Sequence, residues 1–168
     1  MRISLIQRLA VALTTIYFLF LFWAIIFKFQ LSLSYLPNLQ YINLIPFAES
    51  SFQTGAFNTF EVLGNLIIFV PFGIYLNLLP TKLSYAKQVV LIATVSLVVE
   101  LLQYIFSIGV TDITDLITNT FGGITGILLY LALKKCVANK HTLHQYLTAS
   151  AAIGTALTLI LTNIMLMA

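Results

Sequence analysis

The chain of 168 residues carries five acids, Glu49, Glu61, Glu100, Asp112 and Asp115. Carboxylates can move protons, hold a hard cation such as Mg²⁺ or Ca²⁺, or orient a cationic or hydroxylated ligand. Side chains three or four apart share a helix face, and most of these acids recur with polar or small residues at that spacing. The sequence therefore writes three stripes: Glu61, Gly64, Asn65 and Phe72; Ser96, Glu100, Gln103 and Ser107; and Asp112, Asp115, Asn119 and Gly123. The candidate ligand-binding set is Glu61, Asn65, Glu100, Gln103, Asp112, Asp115 and Asn119. Glu100, Asp112 and Asp115 are the candidates for any catalytic role.

Each candidate also has a plainer reading. Asp112 and Asp115 open an apolar run, where an acid serves as an N-cap or complements the helix dipole, and Glu61 can be explained in the same way. Asn65, Gln103 and Asn119 suit interhelical hydrogen bonding, and Gly122, Gly123 and Gly126 suit close helix packing. Glu100 has no such explanation, because it lies in mid-span, where ionisable residues usually serve a function. His141 and His144 sit beside Lys140 in an expected solvated loop, and no metal site is expected of them. The single cysteine, Cys136, can neither staple the fold nor build a thiolate metal site.

The elements that position these residues follow from composition. The chain is 60% hydrophobic and 8% charged, with a mean hydropathy of +1.02, against about 25% charged in soluble domains. So few charges cannot clothe a soluble body of this size, so lipid must be the main solvent. A bilayer core needs about 20 apolar residues per helix. Five stretches qualify, residues 9–27, 62–79, 89–108, 113–133 and 146–168, which predicts an all-α, single-domain bundle with five transmembrane helices. The basic start at Arg2 and Arg8 is followed by no small-residue cleavage pattern, so the first span is expected to be an uncleaved anchor.

Of the eight cationic residues, only Lys28 falls on the opposite side from Arg2, Arg8, Lys82, Lys87, Lys134, Lys135 and Lys140. The positive-inside rule makes that majority side cytoplasmic, together with the N-terminus, and an odd number of spans sends the C-terminus outward. All five acids then fall in the outer half. At about 1.5 Å per residue, Glu100 should lie roughly 12 Å below the outer end of its span and Asn119 about 10 Å below Asp112. Converging stripes would form an outward-facing acidic cup. The loop from Lys28 to Phe60 holds Tyr35, Tyr41, Phe47, Phe52, Phe57 and Phe60; such rings favour the headgroup interface, either as simple packing or as a lid.

The blocks Asn43-Leu44-Ile45-Pro46-Phe47, Glu61 with Gly64-Asn65, Phe69-Val70-Pro71-Phe72-Gly73, and Glu100 with Gln103 resemble the VanZ-like family of membrane proteins. Asp112-Ile113-Thr114-Asp115-Leu116 and Asn119-Thr120-Phe121-Gly122-Gly123 complete the pattern. They appear in order between residues 43 and 133. The chain departs from the family at Gly109-Val110-Thr111, where many members place an arginine. The resemblance implies a bacterial plasma-membrane protein, in a family whose founding member is associated with low-level teicoplanin resistance. It implies no known reaction, and no cofactor follows from it.

Three functions fit these features. The first is an envelope protein whose outer cup binds a lipid-linked or amphiphilic molecule and contributes to glycopeptide resistance. The second is an intramembrane enzyme acting on a lipid or cell-wall-precursor headgroup, with Glu100 as general base and Asp112 or Asp115 as acid or cation ligand. The third is a cation-coupled transporter titrating at Glu100; against it, Asn77 is nearly alone among polar residues in the inner half. Expected partners are membrane lipids and a lipid-linked precursor or lipoglycopeptide, with no nucleic acid.

Overall fold

The computed structural model describes residues 4–26, 39–47, 59–80, 83–137 and 139–167. Among them, five helices are α1 (Leu5–Ile26), α2 (Thr59–Leu78), α3 (Tyr85–Ile105), α4 (Ile113–Cys136) and α5 (Lys140–Met167). Two short strands, β1 (Leu39–Asn43) and β2 (Ile108–Asp112), precede α2 and α4. Helices α1 to α4 are each long and apolar enough to cross a bilayer. The 28 residues of α5 extend about 42 Å, more than the ~30 Å hydrocarbon core. The helix begins six residues before the apolar run that signalled it. The histidines expected in a loop therefore lie on its first turns. His144 is half-buried and its Nε2 pairs with the Tyr130 hydroxyl at 3.1 Å.

Apolar side chains lie on the outside as well as in the centre. Leu19 of α1, Ile67 of α2, Val90, Leu97 and Leu101 of α3 and Phe121 and Leu128 of α4 are exposed. Such a surface is stable only where the surrounding medium is hydrocarbon, so the chain is a membrane protein. The strands sit at one end of the bundle and exposed Arg8, Lys87, Lys134 and Lys135 at the other. These are named here the strand end and the lysine end.

Helices α2 and α4 run parallel through the centre. A Cβ at Gly122 would collide with the Leu66 carbonyl, one at Gly126 with the Val70 carbonyl, and one at Gly73 with the Gly123 carbonyl. Only glycine permits this approach, the small-xxx-small device of helices packed in lipid. Gly123 faces the other way, against Ile92 of α3. Pro71 removes an N–H from the interior of α2 and loosens the helix there. The Tyr17 hydroxyl of α1 donates to the Ile68 carbonyl at 2.7 Å, just beside that break. Phe18 packs edge-on against Phe72 with ring centroids 4.7 Å apart, which seats α1 on α2; α5 in turn rests mainly on α1.

At the lysine end, Asn77 and Gln88 exchange amide hydrogen bonds of 3.0 and 3.3 Å. Asn77 is thus one half of a carboxamide pair tying α2 to α3. Its partner Gln88 is buried.

Candidate functional site

The strand end is built from segments that are weak secondary-structure formers. The expected third span ran to Ile108, but α3 stops at Ile105. Phe106 caps it, and Ser107 turns the chain through the left-handed region at φ 55°. The physical reason is the run that follows. Ile108, Val110 and Thr111 are β-branched, favour extended backbone, and find a partner in β1. The two strands pair in parallel, with Leu39 opposite Ile108 and Asn43 opposite Asp112. The segment expected as irregular loop thus contributes a strand and a turn. The remainder of that loop, including Lys28, Tyr35, Glu49, Phe52 and Phe57, lies outside the described residues, as do Arg2 and Lys82.

This short parallel ribbon brings Asn43 onto the start of α4. Asp112 is the N-cap of α4, and its Oδ1 accepts the Thr114 N–H at 2.7 Å. Its Oδ2 accepts from the Asn43 amide at 3.1 Å. The Oδ1 of Asn43 accepts the Ile45 N–H at 3.1 Å, which turns the chain after β1. Phe47, at φ 57°, donates its N–H to the Thr114 hydroxyl at 3.0 Å. Residues 43–47 are therefore a strap fastened to the first turn of α4 at both ends. Leu44, Ile45 and Phe47 are 72%, 68% and 52% exposed, so the strap presents an apolar outer side.

Glu100 lies beneath this junction. Its Oε2 accepts the Asp112 N–H at 3.0 Å, and its backbone carbonyl accepts from the Thr111 hydroxyl at 3.1 Å. The carboxylate thereby satisfies a backbone donor at the mouth of α4, where the helix dipole favours negative charge. Glu100 and Asp112 are 2% and 5% exposed, and the Asp112 N–H joins them. The depth expected of Glu100 changes with this. It is level with Asp112, while Asn119 lies deeper and donates to Ser96 at 3.0 Å, one turn below Glu100 on α3. The early end of α3 accounts for the difference.

The remaining expected site residues divide by burial. Gln103 and Asn119 are buried beside Glu100 and Ser96, whereas Glu61, Asn65 and Asp115 are half-buried on the first turns of α2 and α4. Among the described residues, nothing donates a hydrogen bond to the Oδ1 of Asn119. Glu61, Asn65, Glu100, Gln103, Asp112, Asp115 and Asn119 thus all lie in the strand-end half of the bundle of α2, α3 and α4. Glu61 and Asp115 are the half-buried acids among the described residues at this end.

Sequence reasoning passed over Asn43, Ser96 and Thr114 as site members. Asn43 had a signal in its type, since an Asn side chain commonly starts a turn by accepting the N–H two residues on. Nothing local reports that its amide meets a carboxylate 69 residues away.

The motif blocks that form this junction fall within a wider match. The VanZ/LLP1 family model covers residues 14–134. Protein VanZ of Enterococcus faecium is 38% identical over 131 residues, which cover 77% of this chain and 74% of that protein. No solved structure matches the chain. A family match over most of the bundle, with the strap, the Glu100 anchor and the Asp112 cap all inside it, establishes that the chain belongs to the VanZ/LLP1 family.

Proposed function

We propose that this protein resides in the bacterial plasma membrane, binds an amphiphilic or lipid-linked molecule at its strand end, and contributes to teicoplanin resistance. The lysine end faces the cytoplasm in this reading, since Arg8, Lys87, Lys134 and Lys135 gather there. The strand end then lies in the outer leaflet, where lipid-linked cell-wall precursors and lipoglycopeptides meet the membrane. The C-terminus of α5 also points outward.

The observation that carries the proposal is the strap. It holds exposed Leu44, Ile45 and Phe47 directly against the first turn of α4, through the Phe47–Thr114 bond, with half-buried Asp115 one residue further on. An apolar surface beside carboxylates suits a ligand with a lipid tail and a cationic or hydroxylated head. Glu100 and Asp112 hold backbone N–H groups, which supports a positioning role for them, with Asp115 and Glu61 meeting the head group. Similarity to Protein VanZ supports the resistance context.

The test is teicoplanin susceptibility in a sensitive Gram-positive host expressing the chain, with Glu100→Gln and Asp115→Asn beside it and membrane insertion verified for each. The wild-type chain should protect and both inserted variants should lose protection. A wild-type chain that gives no protection overturns the resistance reading. Inserted variants that protect fully overturn the role of the acids.

A further inference from the structure

A second feature lies away from the acids. Between α1, α2 and α5, at the level of Pro71, there is a cavity of about 410 Å³. Ile67, Pro71 and Ile74 form its α2 wall, Ile16 belongs to α1, and Leu147 and Ala151 to α5. Hydroxyl groups also reach it, yet each is engaged within the protein. Tyr17 donates to the Ile68 carbonyl at 2.7 Å, Ser150 to the Leu147 carbonyl at 3.1 Å and Thr155 to the Ala151 carbonyl at 2.8 Å, while Tyr75 bonds Thr155. What remains for an occupant is chiefly hydrocarbon surface.

Depth narrows the occupant further. Pro71 is twelve residues into α2, about 18 Å from the strand end, and Ala151 eleven residues into α5, about 17 Å from the lysine end. The cavity is therefore near the middle of a ~30 Å core, beyond the reach of a headgroup held at either surface. Apolar cavities do not hold water. Ile16 and Ile67, 39% and 64% exposed, stand at its mouth, so the cavity opens sideways to the surrounding lipid. A methylene group takes up close to a water's share of liquid volume, about 30 Å³, so the space suits roughly a dozen methylenes.

We propose that this cavity holds one acyl chain of a bilayer phospholipid, wedged beside Pro71 between α1 and α5. Hydrocarbon gains little by leaving lipid for protein, so the affinity comes from shape and van der Waals packing against α2 around Pro71. The bound chain completes the seat of α5, which otherwise rests mainly on α1. This site is independent of the acids at the strand end.

The test uses the full chain in phosphatidylglycerol vesicles containing a trace of phosphatidylglycerol with a diazirine midway along one acyl chain. After irradiation, adducts are mapped by mass spectrometry. Labelling of Ile16, Ile67 and Ile74 should exceed that of the lipid-facing stripe Val90, Leu97 and Leu101 several-fold. Ala151→Trp, which fills the cavity, should bring the first group down to the second and leave the stripe unchanged. Equal labelling of the two groups in the wild-type protein overturns the proposal, whatever the variant does. So does enriched labelling that survives in inserted Ala151→Trp, or oxidative disulfide crosslinking of Ile67→Cys between two copies of the chain in the same vesicles, which would seat a second copy at the cavity mouth in place of lipid.

Discussion

Removing the Asp112 side chain breaks two connections that can be weighed separately. Asp112→Ala deletes the N-cap of α4, seen in the 2.7 Å bond from the Thr114 N–H, which costs about 1 kcal/mol. It also leaves the Asn43 amide, 8% exposed, without its acceptor, for about 1–3 kcal/mol more. The total expected loss is therefore about 2–4 kcal/mol. Asn43→Ala loses the same bond from the other side together with the acceptor for the Ile45 N–H. Ile45 is well exposed, so solvent or headgroups can replace that second bond, but the Asp112 carboxylate oxygen, in a residue 5% exposed, is left without its donor, and the loss should be about 1–3 kcal/mol. Because the two side chains touch, the double variant should be less damaged than the sum of the singles, with a coupling of about 1–2 kcal/mol. Reversible unfolding of the purified protein in mixed micelles, followed by circular dichroism for the four forms, measures this. Additivity within about 0.5 kcal/mol would refute the reasoning, because the strap would then not be fastened to α4 by this pair.

Three further expectations concern packing and topology. Gly126→Ala places a methyl group against the Val70 carbonyl and 3.1 Å from the Gly73 Cα, so α2 and α4 must part; a loss of about 1–3 kcal/mol is expected in the same unfolding assay, and an unchanged midpoint contradicts the close parallel packing. Tyr17→Phe removes the hydroxyl bonded to the Ile68 carbonyl and should cost about 1 kcal/mol. An unchanged midpoint would mean that this bond does not help seat α1 on α2. In intact cells, Gly109→Cys in β2 should react with an impermeant thiol reagent while Cys136, exposed at the end of α4, stays unlabelled. The reverse pattern would put the strap and all its acids on the cytoplasmic side.

The sequence by itself determined the solvent and the layout. With thirteen charges in 168 residues and long apolar runs between them, hydrocarbon surroundings and membrane-length helices were unavoidable. The grouping of lysines at one end was equally legible, because charge in a lipid-facing chain can only be placed where a helix leaves the core. Gly122 and Gly126, four residues apart, announced close packing, and Asp112 before a helical run announced a cap. Each of these signals is local, read within one or two helical turns.

Tertiary structure alone decided which polar residues meet. The strands β1 and β2 are short and pair with each other across two intervening helices in the chain, so neither stands out against the apolar background. Their pairing ended α3 early, raised Glu100 to the level of Asp112 and left Asn119 to Ser96. It also joined Asn43 to Asp112, converting a presumed loop into the strap on which the proposed ligand surface rests. The cavity beside Pro71 is likewise a property of three helices at once. Spacing along one chain segment reports which side chains share a face; which face lies opposite depends on contacts between segments far apart in sequence, and no local pattern carries that information.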